Sequence, residues 1–560
     1  MVLFLLASLA GLRSFAAPIE IEEELSEISA ELSDWSQKAD LSEWSIDEKI
    51  GQLLMVGYRS LDQIKRFKPG GIVLFSWSMK TVDQTRQLTD SLRILSKSHM
   101  KAPPFIATDH EGGKVLRLRK GLTAFPDAAA VGAIKDPGIA RQVGAAMGLE
   151  LSSLGFNMNL APVLDLGNAR SFLENRVWGD SPADVASGTS AFIQGLKDSH
   201  VLAVVKHFPG HGNSFEDSHF TLSQVQKSWE RVWDEDLYPF RVAVSNGIRG
   251  IMTAHVEVPA IAKGPASLSP ELLTGILREK MGFQGIVISD DLEMGALTKN
   301  LNKPVEDLAL QALMAGTDLV LVVWSETTQQ KIFDRVKRAL SDGELSESWL
   351  DERVRRILAV KRDFTTPKIS SDSSWKDNLM KPEHLALAAR ISTEAVSWLA
   401  GSDDILKNFR RARGDVWRVV VPSERFANLW REYRPADRIS VLPRRADDSV
   451  VSLINKAISV SIQNGAPLVV VTGARASASE EGFAAVRNTL ALSLKNGIIK
   501  APILWAHQGG VPVEFKWDPK SLKIGIVALH SSSRVSFKAL THFIGAPAAE
   551  SGQSEQKMGE

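Results

Sequence analysis

The chain has 560 residues, with 66 basic and 66 acidic side chains and no cysteine. Its length allows two domains, or one large barrel with a smaller unit. The balanced charge argues against a nucleic-acid-binding surface and a polybasic membrane-binding helix. The lack of cysteine excludes disulfides, thiol nucleophiles, cysteine metal sites and lipid-modified cysteines.

An apolar run opens the chain and is typical of a signal peptide. It extends from Val2 to Leu12, too short to span a bilayer comfortably, and the small residues of Ser14-Phe15-Ala16 fit cleavage just after it. We therefore expect residues 1–17 to be removed and the protein to be exported to the periplasm or the extracellular space. A cytoplasmic protein with an ordinary apolar N-terminus is the alternative. The first basic residue, Arg13, follows the run instead of preceding it, which also leaves the true start codon open.

Residues 45–364 predict a (β/α)8 TIM-like barrel, an α/β fold. Short apolar runs alternate there with longer helical patterns, which is typical of parallel strands joined by crossover helices. Seven runs predict strands, and we expect the eighth near Ala266-Ser267-Leu268. The predicted strands are Gly71–Phe75, Phe105–Asp109, Asn157–Leu160, Ala203–His207, Gly250–His255, Ile286–Asp290 and Leu319–Val323. The predicted helices include Thr81–Lys97, Ala140–Leu154, Ala183–Asp198, Trp229–Asn246, Pro270–Met281 and the closing helix Ser346–Lys361.

The segments on either side of the barrel differ in character. Residues 18–44 include an acidic stretch with apolar residues at helical spacing, which predicts an amphipathic helix packed on the barrel. Residues 365–378 are rich in Ser, Thr, Asp and Pro and predict a linker. A smaller α/β domain is predicted over 379–547 and a disordered polar tail over 548–560. The strands predicted in the smaller domain are Val416–Val421, Pro467–Thr472, Ile503–Ala506 and Lys523–Leu529.

The most informative motif follows a predicted barrel strand. The apolar run Val201–Val205 is followed directly by the motif Lys206-His207-Phe208-Pro209-Gly210-His211-Gly212. The proline and glycines of this motif predict a tight loop. Past that loop, Asp217-Ser218-His219 places a carboxylate two residues from an imidazole. Proton transfer needs an imidazole near neutral pKa and a carboxylate that fixes its tautomer. Since the carboxyl ends of barrel strands build the active site, we expect the motif to lie there.

Three further motifs lie at the ends of predicted strands. They are Asp109-His110-Glu111-Gly112-Gly113, Met252-Thr253-Ala254-His255-Val256 and Ser289-Asp290-Asp291-Leu292-Glu293-Met294. With the Lys206 motif, they resemble in order the signatures of glycoside hydrolase family 3. The resemblance is to the bacterial β-N-acetylglucosaminidase branch, of the peptidoglycan-recycling type, and spans roughly Ser45 to Phe364.

The resemblance implies the catalytic residues. In the family the first Asp after the Ser is the nucleophile, here Asp290, and in this branch the Asp-Ser-His triplet supplies the acid/base, here His219 with Asp217 as its partner. A retaining glycosidase needs such a pair, one group to attack the anomeric carbon and one to protonate the leaving oxygen. Asp291 fits a helix N-cap instead, because Leu292-Glu293-Met294 begin a possible helix.

The resemblance also implies the substrate-binding residues, which are Asp109, Arg117, Arg176, Lys206 and His207. Two departures from the family pattern concern the shape of the pocket. Val177-Trp178 stand where Ser-Phe usually follows the arginine, and His110 replaces the usual Gln.

The histidines also allow a metal-site interpretation. His207 and His211 are spaced like ligands one helical turn apart, and the further candidate ligands are His219, His255 and Asp290. Pro209 and Gly210 lie between the first two histidines and break any helix that would align them. We therefore expect no metal and no cofactor.

The resemblance implies a retaining exo-β-N-acetylglucosaminidase that acts on terminal β-linked GlcNAc of peptidoglycan-derived or chitin-derived sugars. The expected partner is a small carbohydrate, with no nucleic acid and no integral membrane segment. One alternative is a family 3 phosphorylase, in which phosphate replaces water. The other is a non-catalytic sugar-binding protein on the same barrel, although binding alone does not require Asp290, Asp217 and His219. The natural polymer, the oligomeric state and the role of the smaller domain stay open.

Overall fold

The computed structural model of the protein describes residues 40–167, 173–212, 222–364 and 373–400, and five further strands at 418–421, 438–441, 468–472, 503–508 and 524–529. Several predictions concern residues outside these ranges. They are the signal peptide at 1–17, the N-terminal helix within 18–44, the first part of the linker and the tail at 548–560.

Eight parallel strands form the barrel that the sequence predicts. They are β1 Leu54–Gly57, β2 Gly71–Val73, β3 Phe105–Thr108, β4 Met158–Asn159, β5 Leu202–Phe208, β6 Gly250–Thr253, β7 Ile286–Ile288 and β8 Val320–Val322. The strands from β1 to β7 pair in parallel in chain order, and β8 pairs in parallel with β1. Leu319 closes the ring, because its N–H donates to Val287 O at 3.1 Å and its carbonyl accepts from Ser289 N at 3.0 Å.

The predicted position of the eighth strand is wrong. Ala266–Leu268 forms a 3-10 helix, in which the Ser267 N–H donates to Ala254 O in the loop after β6. The strand that the prediction lacks is β1, Leu54–Gly57. It is buried along its whole length and is separated from the helix Ile46–Gln52 only by Leu53. An apolar run that continues directly from a helix does not change the hydrophobic period, and so periodicity does not separate the two elements.

Helices between the strands cover the barrel. Many start at a side chain that accepts an early backbone N–H, as N-caps do: Ser45, Ser60, Thr81, Asp136, Ser181 and Ser325. Beyond Ile46–Gln52, the helices are Leu61–Phe67, Val82–His99, Ala128–Ile134, Pro137–Ser153, Pro182–Asp198, Tyr238–Ser245, Gly295–Thr298, Val305–Ala315, Glu326–Ser341 and Glu347–Phe364. The last of these is the predicted closing helix.

Two predicted helices depart from α-helical geometry. The segment predicted as one helix over Trp229–Asn246 contains a short helix Trp229–Arg231, a π-helical turn Val232–Asp236 and the helix Tyr238–Ser245. Pro239 has no N–H to donate to the preceding turn, which explains why a new helix begins there. The segment Glu271–Lys280 is π-helical.

The helix Pro382–Glu394 belongs to the core of the barrel domain. Its Leu387, Ala388 and Ile391 are buried in the same hydrophobic cluster as the barrel strands. The fully buried Glu150 connects this region to the barrel, since its carboxylate accepts the Met380 N–H at 3.0 Å and lies 2.8 Å from His384 Nδ1. The 3-10 helix Ser373–Asn378 occupies the end of the predicted linker.

A second sheet lies beyond the barrel and supports a smaller α/β unit. Its strands are β9 Val396–Ala400, β10 Arg418–Val421, β11 Arg438–Val441, β12 Leu468–Thr472, β13 Ile503–Gln508 and β14 Ile524–Leu529. The strand order is β9-β14-β13-β12-β10-β11, and β9 is antiparallel to β14 while the other neighbours are parallel. Four of these strands coincide with predicted ones, and β9 and β11 are additional. Within the described ranges, no helix combines the length and apolar character needed to cross a membrane.

Candidate active site

Lys206, at the end of β5, is the centre of a buried ion-pair network. Its Nζ lies 2.9 Å from Asp109 Oδ1 and 2.6 Å from Glu111 Oε1. Burial disfavours the charged ammonium, but the two carboxylates outweigh burial and raise the pKa of Lys206. The lysine is therefore a fixed positive charge in the barrel mouth.

Two arginines extend the network on either side. Arg117 Nη2 donates to Asp109 Oδ2 at 2.7 Å, and Arg176 donates to both oxygens of Glu111 at 2.8 and 2.9 Å. Burial opposes ionisation of Glu111, but Arg176 and Lys206 outweigh burial and lower its pKa to about 2. The same balance holds the pKa of Asp109 well below its usual range, with Lys206 and Arg117 as the cations. Three cations against two carboxylates leave one net positive charge.

Asp290, the predicted nucleophile, lies two residues beyond the end of β7 and is partly exposed. Its Oδ1 accepts the Asp291 N–H at 2.8 Å. Burial raises the pKa of Asp290, but its interactions with the His255 and His207 imidazoles, that N–H and the Lys206 ammonium outweigh burial and lower it. The carboxylate is therefore ionised at neutral pH, as a nucleophile requires.

Asp165 fixes the orientation of His207. Its Oδ2 lies 2.6 Å from His207 Nδ1, and both carboxylate oxygens accept the His207 N–H at 3.3 Å. Burial opposes ionisation of Asp165, but His207 outweighs burial and lowers the pKa of the carboxyl. An ionised Asp165 accepts the Nδ1 proton, which leaves Nε2 as the ring nitrogen that can contact a substrate.

Asp165 also anchors the loop that leads to the predicted acid/base pair. Its Oδ1 accepts the His211 N–H at 2.6 Å. The next residue, Gly212, packs so closely that a Cβ there would lie 1.7 Å from Leu166 O. Gly210 has a φ of +119°, which fits the predicted tight loop and favours glycine. Asp217 and His219 lie outside the described residues, so their predicted roles stay predictions.

Asp291 is not a helix N-cap, and that prediction is wrong. The next helix, Gly295–Thr298, begins three residues after Leu292 and has Met294 at its N-cap position. Asp291 Oδ1 instead accepts the N–H groups of Glu293 at 3.2 Å and Val323 at 3.4 Å, so it joins the turn after β7 to the end of β8. Burial raises its pKa to about 7.

His255 holds the loops after β6 and β7 together. Its Nδ1 lies 2.8 Å from Ser267 Oγ and its Nε2 lies 3.1 Å from Asp291 O. The second contact requires a proton on Nε2, because a carbonyl only accepts. Ser267 Oγ then donates to Nδ1 in the neutral ring. Among the described residues, no group of three or more His, Asp or Glu side chains is arranged as a metal site.

The comparison with known families agrees with this geometry. The family described as "Glycosyl hydrolase family 3 N terminal domain" matches residues 45–360, which is more than half of the chain. The chain belongs to glycosyl hydrolase family 3. The family and the enzyme class predicted from the sequence are thereby confirmed, and the protein is a glycoside hydrolase.

Several relatives show how far the family 3 similarity extends. A Beta-hexosaminidase of Idiomarina loihiensis is 30% identical over 310 residues, which are 55% of this chain and 90% of that protein. A Beta-hexosaminidase of Nitrosomonas eutropha is 37% identical over 261 residues, 45% of this chain and 73% of that protein. The structure of a glycoside hydrolase family 3 beta-N-acetylglucosaminidase from Paenibacillus sp. has a TM-score of 0.76 at 29% identity and covers 90% of this chain and 97% of its own. A Beta-glucoside phosphorylase, at 20% identity and a TM-score of 0.71, covers 94% of this chain and 95% of its own and shows the fold alone.

Two residues of this family 3 site were not assigned from the sequence. Glu111 lies in the same motif as Asp109, but no role was predicted for it. The available signal was its spacing, because a residue two positions after Asp109 lies on the same side of an extended chain. Asp165 follows the apolar run Leu160–Leu164, the same signal that identified Asp109 and Asp290. The structure brings all five predicted substrate-binding residues to the barrel mouth, through contacts to these two carboxylates or to Asp109.

Proposed function

We propose that the protein is a retaining exo-β-N-acetylglucosaminidase that removes terminal β-linked GlcNAc from peptidoglycan-derived or chitin-derived sugars. The observation that carries the proposal is an ionised Asp290 beside the Lys206 ammonium and the His207 imidazole at the ends of the barrel strands β7 and β5. The aminosugar preference is supported by the relatives, which carry the name Beta-hexosaminidase, and by the Paenibacillus beta-N-acetylglucosaminidase.

In the proposed first step, an oxygen of Asp290 attacks the anomeric carbon and the bond to the leaving oxygen breaks. His219 donates its proton to that oxygen, so that the leaving group departs as an alcohol. Asp290 then carries the sugar as an ester, and Asp217 stabilises the proton on the imidazole before transfer.

In the second step, His219 removes a proton from water and the water oxygen attacks the anomeric carbon from the opposite face. The Asp290 ester bond breaks and the carboxylate is regenerated. The environment that lowers the pKa of Asp290 also makes it a better leaving group here. Two displacements retain the β configuration.

The ion-pair network would bind the hydroxyls of the terminal sugar. Asp109 accepts hydrogen bonds, whereas Arg117, Arg176 and Lys206 donate them. Because each cation is already held by a carboxylate, the donors are oriented before the substrate arrives, and little rotamer entropy is lost on binding.

Turnover of aryl glycosides tests the reaction and its preference. We expect kcat/KM for an aryl N-acetylglucosaminide to exceed that for the aryl glucoside by about a hundredfold or more, because a site built for the acetamide leaves polar groups unpaired when it is missing. Comparable rates would contradict the aminosugar preference. Formation of a sugar 1-phosphate when phosphate is present would identify the phosphorylase alternative.

Trapping tests the nucleophile. An activated 5-fluoro N-acetylglucosaminide should label Asp290, as seen by mass spectrometry of the peptides. Asp290→Asn should abolish turnover, whereas the neighbouring Asp291→Asn is the matched control and should keep it. A label on another residue, or no label with turnover intact, would exclude the assignment.

Export of the protein is also a proposal and has its own test. N-terminal sequencing of the protein from its natural source should find the chain starting near residue 17. An intact Met1 in the cytoplasmic fraction would contradict export.

A further inference from the structure

Three aromatic side chains form a cluster at the rim of the barrel mouth. Phe75 and Trp77 follow β2 and Trp324 follows β8, and these strands lie on either side of β1. Phe75 and Trp77 stack with ring centroids 4.5 Å apart and an angle of 13° between their planes, and Trp77 lies 4.9 Å from Trp324. We call these three residues the aromatic platform.

Trp324 is the exposed member of the platform, whereas Phe75 and Trp77 are half-buried. Trp324 is 57% exposed, which is unusual for a side chain of this size. Its backbone is nonetheless fixed, because its N–H donates to Glu293 Oε2 at 2.7 Å and its carbonyl accepts from Arg59 Nη2 at 3.0 Å. The Arg59 guanidinium lies 5.0 Å from the Trp77 ring centroid and 5.9 Å from that of Trp324. The Trp324 backbone is held by its neighbours while the indole is exposed to solvent. A ligand that packs on this indole therefore costs little conformational entropy.

The platform is continuous with the candidate active site on two sides. Arg117, which donates to Asp109, lies 5.2 Å from the Phe75 ring centroid. Glu293, which holds Trp324, belongs to the turn that begins at Asp290. The platform therefore adjoins the ion-pair network through Arg117 and the turn that contains Asp290 through Glu293.

We infer that the aromatic platform binds the sugar ring on the leaving-group side of the bond that is cleaved. The inference rests on the proposed exo-glycosidase function, in which the terminal sugar fills the polar pocket and every further sugar lies outside it. Pyranose rings present apolar C–H faces, and these pack on aromatic side chains in ligand sites. The ligand class is thus a β-linked oligosaccharide of at least two rings, and Trp324 determines the specificity for it.

A second tryptophan pair lacks the features that support this inference. The ring centroids of Trp229 and Trp233 lie 5.3 Å apart in the segment between β5 and β6. Lys280 Nζ lies 5.4 and 4.8 Å from their ring centroids, and Arg241 Cζ lies 4.5 Å from that of Trp233. Neither of these cations belongs to the ion-pair network, whereas Arg117 beside the platform does, so Trp229→Ala is a matched control.

Two substrates with different leaving groups test the platform. The leaving group of N,N′-diacetylchitobiose is a sugar. The leaving group of β-N-acetylglucosaminyl azide is azide, which places no ring beside the pocket. We expect Trp324→Ala to lower kcat/KM on the disaccharide by about tenfold or more, a loss typical of an anchoring aromatic residue. The azide substrate should change by less than about twofold, and Trp324→Phe should lie between wild type and alanine on the disaccharide.

Three results would overturn the inference. Equal losses on both substrates would mean that Trp324 supports the pocket and not the leaving group. No loss on the disaccharide for Trp324→Ala and for Trp77→Ala would mean that the platform is not used. A loss of similar size in Trp229→Ala would show that the effect is not specific to the platform. Failure of the proposed function looks different, because wild-type protein would then cleave neither substrate.

Discussion

Replacing Glu111 by Gln tests the ion-pair network most directly. Glu111 is buried and contacts Arg176 and Lys206 within 2.6 to 2.9 Å. Gln keeps the shape of the side chain but removes the negative charge, so the buried Lys206 and the half-buried Arg176 each lose a partner. Removing one member of a buried ion pair is strongly destabilising, because the remaining charge is left without compensation.

The pKa of Glu111 gives the size of the effect. Arg176 and Lys206 lower the pKa of Glu111 from an ordinary value of 4.5 to about 2, and this difference corresponds to about 3 kcal/mol of stability. Because the folded pKa is lowered, this stability is present above pH 4.5 and is lost as the pH falls toward 2. We therefore expect Glu111→Gln to lower the free energy of unfolding by about 3 kcal/mol at pH 7.

Urea unfolding at pH 7, followed by tryptophan fluorescence, measures this loss. Glu279→Gln, at an exposed position, is the matched control and should change stability by less than about 0.5 kcal/mol. A double-mutant cycle with Arg176→Gln isolates the pair, and kcat/KM should fall by about tenfold or more because both predicted sugar-binding cations are displaced. A loss below about 1 kcal/mol with unchanged kinetics would refute the network as the element that orders the site.

Three further changes have defined outcomes. Burial raises the pKa of Asp291 from 3.8 to about 7, so the folded state loses stability as the pH rises between these values. In urea unfolding, Asp291→Asn should therefore be more stable than wild type at pH 8, by up to about 4 kcal/mol, and should show no gain at pH 4. Gly212→Ala should displace the loop entry and reduce kcat by about tenfold or more, whereas Gly275→Ala, where a Cβ meets nothing within 4 Å, should leave kcat unchanged in the same assay. His219→Ala should lower disaccharide hydrolysis by about 10²–10⁴ and aryl glycoside hydrolysis by less, with azide restoring turnover; equal losses without rescue would exclude it as the acid/base.

Much of the barrel could be predicted because its strands are short apolar runs that end in polar residues. The exceptions have local causes. β1 continues directly from a capped helix, and no change of period marks the junction at Leu53. Ala266–Leu268 is a mostly apolar run but lies in the loop after β6, where the Ser267 N–H donates to Ala254 O.

The site was predictable where motifs place one polar residue at a strand end. Asp109, Lys206, His207 and Asp290 all lie at strand ends, as expected. Contacts between distant parts of the chain were not predictable. Asp165, for example, contacts His207 and His211, which lie 42 and 46 positions later, and no local pattern pairs them. The aromatic platform is of the same kind, because it joins residues that follow β2 and β8.

The buried carboxylate of Glu150 has a practical consequence for dividing the chain. The family match ends at residue 360, which invites a cut there to isolate the catalytic barrel. Such a fragment would lack the Met380 N–H and His384, so the Glu150 carboxylate would lose two of its partners. It would also expose the surface that Leu387 and Ile391 cover. The shortest self-sufficient catalytic fragment should therefore end after Glu394, where the covering helix is complete.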